Sequence, residues 1–129
     1  MTPSVRQDGP LKQILVVDDD SSVLDVVGRT LSDYRLTFAR DPDEALSAAM
    51  KLVSVDLLIT DYLMPSMTGE ELIGHVRAHR PGVKALILTG HSSQLDLDNP
   101  SWWASEMHLA KPMKLSELRA AVERLIGPP

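Results

Sequence analysis

The chain of 129 residues has no cysteine. That excludes a disulfide framework, a thiolate metal site and a thiol nucleophile. Aromatic residues are 4% of the chain, which leaves little for base stacking. Apolar runs reach only four residues (Ile14–Val17, Ala85–Leu88), far short of a bilayer span. The opening MTPSVRQDGP lacks the apolar stretch of a signal peptide. These absences predict a cytoplasmic protein with no membrane contact. No excess of positive charge exists either: the net charge is −5, and the densest basic stretch, Arg77 to Lys84, holds three Lys or Arg. An acidic surface repels a phosphate backbone, so no direct nucleic-acid partner is expected. What remains, 43% hydrophobic and 24% charged, is the balance of one globular domain.

Residues 1–11 carry Pro3, Gly9 and Pro10 without periodicity and read as a flexible lead-in. Residues 12–127 read as one domain in which strand and helix signals alternate. Ile14–Val17, Leu36–Ala39, Leu57–Ile59, Val83–Leu88 and the weaker Met107–Ala110 are strand candidates. Val23, Leu24, Val26, Val27 and Leu31 recur at helical spacing. Asp41-Pro42-Asp43-Glu44 is a helix start, with Asp as N-cap and Pro at the first helical position. Thr68-Gly69-Glu70-Glu71 is a capping box. Leu115, Leu118, Val122, Leu125 and Ile126 mark an amphipathic last helix, stopped by Gly127. Strands apolar throughout and separated by helices predict an α/β doubly wound domain: a five-stranded parallel sheet of flavodoxin-like order 2-1-3-4-5. Between strands four and five, Pro100 blocks a regular helix. A short or broken fourth helix is expected there. Trp102 and Trp103 fall in this stretch, and at least one is expected to pack.

In such a sheet the ligand lies outside the carboxyl ends of the strands. Strand one ends in Asp18-Asp19-Asp20, strand three in Asp61, strand four in Thr89 and strand five in Lys111-Pro112. Carboxylates brought that close raise one another's pKa, and a divalent cation relieves the conflict. Oxygen ligands without Cys or His select Mg2+ or a similar hard ion. A metal, a lysine and a hydroxyl suit three phosphoryl oxygens, and a carboxylate can accept the group. Asp61, alone on the middle strand, is the choice of acceptor. One bland alternative is an N-cap role for Asp20 or Ser21. His75 and His79 have a zinc-compatible spacing, but no third ligand accompanies them, so both are read as solvated.

Ile14-Leu15-Val16-Val17-Asp18-Asp19, Asp56 through Pro65 with Thr68-Gly69, Leu86-Ile87-Leu88-Thr89-Gly90, and Lys111-Pro112 together resemble the response-regulator receiver domain of two-component signalling. The resemblance covers about residues 12–127. It implies that Asp61 is the phosphoacceptor, and that Asp19, Asp61 and the backbone carbonyl of Leu63 hold Mg2+. It gives Asp18 the role of acidic partner to metal-bound water. Lys111 would pair with the phosphoryl group, Thr89 would be the switch hydroxyl, and Lys111-Pro112 would be a cis peptide. The donor it implies is a phosphohistidine on a sensor histidine kinase or phosphotransfer protein. As given, the chain resembles a stand-alone receiver or one excised from a longer protein such as a hybrid histidine kinase.

Two departures stand out. His108 occupies the position where the family has a Tyr or Phe switch residue, which would make switching sensitive to pH. Residues 91–108 overlap the usual output face, so the output protein is unknown and is expected to meet this segment. Leu63 and His91 match positions that tune loss of the phosphoryl group. An apolar Leu63 cannot orient water, so the native lifetime is expected to exceed that of Leu63→Asn. Two other readings compete. Asp18 and Asp20 can be aligned with the nucleophile and acid/base of a haloacid-dehalogenase-like phosphatase, although Asp61 would then have no role. Alternatively the domain serves docking or dimerisation with phosphorylation silent. The expectation is a signalling phosphoacceptor and not an enzyme, apart from transfer to and loss from itself.

Overall fold

A computed structural model describes residues 11–90 and 105–129. The chain alternates β1 (Gln13–Val17), α1 (Ser21–Thr30), β2 (Arg35–Ala39), α2 (Pro42–Lys51), β3 (Leu57–Asp61), α3 (Gly69–His79), β4 (Lys84–Thr89), β5 (Met107–Ala110) and α4 (Leu115–Ile126). The five strands pair in the order β2-β1-β3-β4-β5, all parallel. This is the expected flavodoxin-like sheet. The stretch assigned to a short or broken fourth helix, with Trp102 and Trp103, lies outside the described residues, as does the lead-in but for its last residue.

The apolar strand runs follow from burial on both faces. Leu15, Val17, Leu58 and Ile87 pack with Ala45, Ala49, Leu72, Ile73 and Val76 of α2 and α3. Their neighbours Ile14, Val16, Leu57, Ile59, Leu86 and Leu88 pack with Val27, Leu31, Leu118 and Val122 of α1 and α4. Alternate residues thus serve opposite layers, and no polar face remains on the central strands. At about 25 cal/mol per Å² of apolar area, each fully buried Leu or Ile contributes roughly 1.5–3 kcal/mol.

The helix starts follow local chemistry. Asp20 caps α1 by accepting from Ser22 N–H at 2.9 Å. Asp41 caps α2 by accepting from Glu44 N–H at 2.8 Å, while Glu44 reaches past the cap to Arg40 N–H at 2.6 Å. Thr68 and Glu71 form the full reciprocal box on α3. Gly127, at φ 78°, ends α4 in a conformation that side chains resist. Long-range partners close other ends. Arg80 donates to the carbonyls of Ala49 in the last turn of α2 (2.7 Å) and of Leu52 just past its end. Arg77 pairs with Glu106 at 2.5 Å, tying α3 to the approach to β5. Two apolar positions of the helical pattern are not core: Val26 is 38% and Leu115 54% exposed. Leu115 is the first residue of α4, one turn ahead of Leu118, which is where that helix first meets the sheet.

Candidate functional site

Register assembles the site. Val17 pairs with Thr60, Asp61 with Leu88 and Thr89 with Ala110. Asp18, Asp61 and Lys111 therefore emerge together at the carboxyl edge of adjacent strands. Asp18, Asp19 and Asp61 offer carboxylate oxygens that all lie within 4.8 Å of one another. Among the described residues this is the only group of three potential metal ligands. Lys111 Nζ donates to Asp18 Oδ2 at 2.7 Å and lies 3.2 Å from Asp61 Oδ1. The Lys111–Pro112 peptide is cis, and Lys111 N–H donates to the Thr89 carbonyl at 2.8 Å. That bond ties the lysine to the end of β4.

The carboxylates differ in their surroundings. Asp18 is 1% exposed, and its other oxygen accepts from Asp20 N–H at 2.9 Å. Asp19 is exposed. Asp61 sits at the mouth, with its side chain 13% exposed. Burial and then the Asp18 charge push the Asp61 carboxyl above its ordinary value, against the pull of Lys111. Burial also acts to lower Lys111, but its bond to Asp18 and the charges of Asp18 and Asp61 outweigh this and leave its pKa raised. Asp18 and Asp61 thus share one ammonium, with the Asp19 carboxylate beside them.

Asp20 stands apart. It is exposed, accepts from both the N–H and the hydroxyl of Ser22 (2.9 and 2.6 Å), and is lowered chiefly by that hydroxyl bond. A phosphatase pair of Asp18 and Asp20 is therefore not favoured, because Asp20 is committed to capping α1. Thr89 is fully buried at the end of β4. Leu63 is 46% exposed and bridges Thr68 through the backbone. His108 is half-buried, its Nδ1 3.1 Å from the Glu106 carbonyl oxygen. It lines a groove of about 330 Å³ between β5 and α4, with Met107, Leu109 and Arg124. His75 and His79 are exposed and join no ligand group among the described residues. His91 lies outside the described residues. The motif reading passed over Thr60, a fully buried residue whose hydroxyl donates to the Asp61 carbonyl at 2.9 Å. Its signal was available: a hydroxyl residue directly before the last carboxylate of a central strand.

Comparison with known proteins agrees with this geometry. The family model described as "Response regulator receiver domain" matches residues 14–123. The chain is 34% identical over 117 residues to the DNA-binding transcriptional regulator NtrC of Salmonella typhimurium, covering 88% of this chain and 24% of that one. It is also 34% identical over 112 residues to the uncharacterized transcriptional regulatory protein YrkP of Bacillus subtilis, covering 85% and 47%. The chain thus spans from about a quarter to half of these relatives' length. Among solved structures, Vibrio cholerae chemotaxis protein CheY4 superposes with a TM-score of 0.77 at 31% identity, covering 89% of this chain and 98% of that one. The response regulator protein TrrA of Thermotoga maritima, solved in complex with Mg(2+)-BeF, gives 0.76 at 30% identity, covering 89% and 99%.

Proposed function

The chain belongs to the response regulator receiver family, a family of signalling phosphoacceptors, and from that premise we propose that Asp61 is its phosphoacceptor. One observation carries this reading: the Asp18, Asp19 and Asp61 oxygens within 4.8 Å of one another, with the Lys111 ammonium against two of the three.

The donor set fits Mg2+. It is all oxygen, carries up to three negative charges, includes no imidazole and is balanced by one lysine. Asp18, Asp19, Asp61 and the Leu63 carbonyl would hold the ion, with Asp18 acting through metal-bound water. When bound, Mg2+ neutralises charge on the phosphoryl oxygens. The TrrA complex with Mg(2+)-BeF supports this choice. In the transfer, an Asp61 carboxylate oxygen forms the new O–P bond as the P–N bond to a donor imidazole breaks. The imidazole nitrogen keeps the electron pair and takes a proton from solvent. Lys111 holds a phosphoryl oxygen, and the Thr89 hydroxyl turns toward another. His108 on β5 follows Thr89 as the second switch position.

The donor is a sensor histidine kinase or phosphotransfer protein. The output is a partner protein meeting residues 91–108, not nucleic acid. The receiver unit is residues 12–127, behind a lead-in of residues 1–11. The chain works in the cytoplasm; no helix among the described residues is long and apolar enough to cross a membrane. It performs no chemistry on other molecules beyond taking and losing its own phosphoryl group.

Intact mass after incubation with Mg2+ and acetyl phosphate tests the reading. A single Mg2+-dependent adduct, absent in Asp61→Asn, is expected. An adduct that survives Asp61→Asn but disappears in Asp18→Asn would overturn it in favour of phosphatase-like chemistry. Failure of the native chain to form any adduct, from acetyl phosphate or from a phosphorylated histidine protein, would leave a docking module.

A further inference from the structure

The chain leaves β3 after Asp61, loops through Tyr62–Thr68 and returns to the same place. Both ends of the loop are stitched together. Gly69 N–H donates to the Tyr62 carbonyl at 2.6 Å, and Leu63 and Thr68 form an antiparallel bridge. This return sets the first residue of α3 directly on the backbone of Asp61. A Cβ at position 69 would stand 2.4 Å from the Asp61 carbonyl oxygen, 3.1 Å from Thr60 Cγ2 and 3.3 Å from the Asp61 carbonyl carbon. Its φ is not in the left-handed region, so space and not conformation demands glycine.

The obstructing oxygen cannot step aside cheaply. It belongs to the last residue of the central strand, paired with Leu88 of β4, and Tyr62 N–H continues that ladder to the Leu88 carbonyl at 3.0 Å. The Thr60 hydroxyl donates to the same oxygen at 2.9 Å. The Asp61 carbonyl is therefore confined between Thr60 and the bare face of Gly69. Its peptide plane sets both where the Asp61 side chain leaves the strand and where the loop carrying Leu63 begins.

We propose that Gly69, with Thr60 as its counterpart, is a positioning residue for the phosphoacceptor. Gly69 lets α3 close against the Asp61 backbone, so that the Asp61 carboxylate and the Leu63 carbonyl stay in register with Asp18 and Asp19. This rests on Asp61 being the acceptor. Gly74 supplies an internal control, because a Cβ there, five residues along the same helix, meets nothing within 4 Å.

The experiment uses the full chain as native protein, Gly69→Ala, Gly74→Ala, Thr60→Val and Asp61→Asn, each below its own melting midpoint. Three quantities are read: backbone amide shifts in chelated buffer, Mg2+ affinity from a titration of those shifts, and phosphoryl uptake from acetyl phosphate by intact mass. Gly69→Ala is expected to keep a cooperative melt while shifting the amides of residues 60–69. Its Mg2+ affinity should fall about tenfold or more, and its uptake about 100-fold, the scale of a misplacement near 1 Å. Gly74→Ala should match the native chain throughout. Adding Thr60→Ser to Gly69→Ala, which removes only the Cγ2 contact, should restore nothing. A folded Gly69→Ala with a lowered melting midpoint but native Mg2+ affinity and uptake overturns the proposal, since the glycine would then be merely structural. If Gly69→Ala does not fold, Thr60→Val decides. It keeps the shape and deletes the bond to the carbonyl, and native affinity and uptake in that variant overturn the proposal. Uptake in native protein that persists in Asp61→Asn sinks the acceptor assignment instead, and the amide shifts and Mg2+ affinity still judge the positioning.

Discussion

Two clusters in this molecule are built from the same parts and come out opposite. At the carboxyl edge of the sheet, Lys111 serves Asp18 and Asp61, with Asp19 beside them. On the flank of α4, Arg119 serves Asp33 and Glu123. Arg119 grips both Asp33 oxygens at 2.7 and 2.6 Å, holds Glu123 at 3.0 Å, donates to the Thr30 carbonyl at 3.3 Å and lies 5.3 Å over the Tyr34 ring. Tyr34 in turn donates to the Gly127 carbonyl at 2.8 Å. The guanidinium fork fits this work, and its bond holds Asp33 below the ordinary carboxylate value. Around Lys111 the balance is reversed: Asp61 is held above its ordinary value by burial and by Asp18. The Arg119 cluster is complete as it stands. The Lys111 cluster sets three carboxylates beside one ammonium, the arrangement on which the proposed cation and phosphoryl roles rest.

Removing each cation gives the largest contrast. Lys111→Met should cut phosphoryl uptake about 100-fold, the scale seen when one charge-stabilising donor is lost. In chelated buffer it should also lower stability, because Asp18, 1% exposed, loses the ammonium that pairs with it. The loss should fall near the low end of the roughly 3–5 kcal/mol for breaking a buried pair, since Lys111 keeps 21% exposure. Arg119→Met should leave uptake unchanged and cost less, as both of its carboxylates face water. Uptake at the native rate in Lys111→Met would erase the distinction between the clusters.

The sequence made one cluster legible and hid the other. Asp18, Asp61, Thr89 and Lys111 each end an apolar run, so knowing the strand order is enough to bring them together. The helix starts at Asp41-Pro42 and Thr68-Gly69 were equally readable, because caps are local chemistry. Arg119 and Asp33 lie 86 residues apart and Arg77 and Glu106 lie 29 apart, with no pattern to join them. Arg80 capping α2 is hidden for the same reason. Val26 and Leu115 lie on helices as the periodicity predicts but stay exposed, because periodicity marks a helical face and not where the sheet beneath it ends. Gly69 was visible as part of a motif, yet its reason, a carbonyl 2.4 Å from a missing Cβ, exists only in three dimensions.

Opposite pKa shifts predict opposite responses to pH. The folded pKa of Asp61 is raised, so between about 3.8 and that higher value the native state holds the extra proton. Native stability then falls as pH rises through this window, and the ionised group remains a cost above it. In chelated buffer Asp61→Asn should therefore gain melting temperature on the native chain from about pH 4 to neutrality. Asp33 is lowered, so it contributes stability above about 3.8 that is lost as pH falls through its folded value. Asp33→Asn should melt below the native chain at neutral pH, with the gap closing in acid. Thermal melts between about pH 3 and 8 decide this. Differences of the same sign for the two variants would mean that the clusters are not opposites.

Salt should produce the smallest effect and the finest test. At about 1 M NaCl the screening length is ~3 Å, so charges reached by water lose most of their attraction. Asp33 and Glu123 keep 48% and 45% exposure, and Arg119 keeps 31%. The stability lost in Arg119→Met should therefore shrink at high salt, leaving chiefly the lost contact of its guanidinium with the Tyr34 ring. Asp18 is 1% exposed, so its 2.7 Å bond to Lys111 is screened less than the surface pair. The cost of Lys111→Met should persist at high salt in chelated buffer. Melts of the two variants and the native chain at low and high NaCl read this difference. If both costs fell by the same fraction, the acidic cluster would be as solvated as the surface clamp. Its raised Asp61 pKa would then lack the burial that explains it.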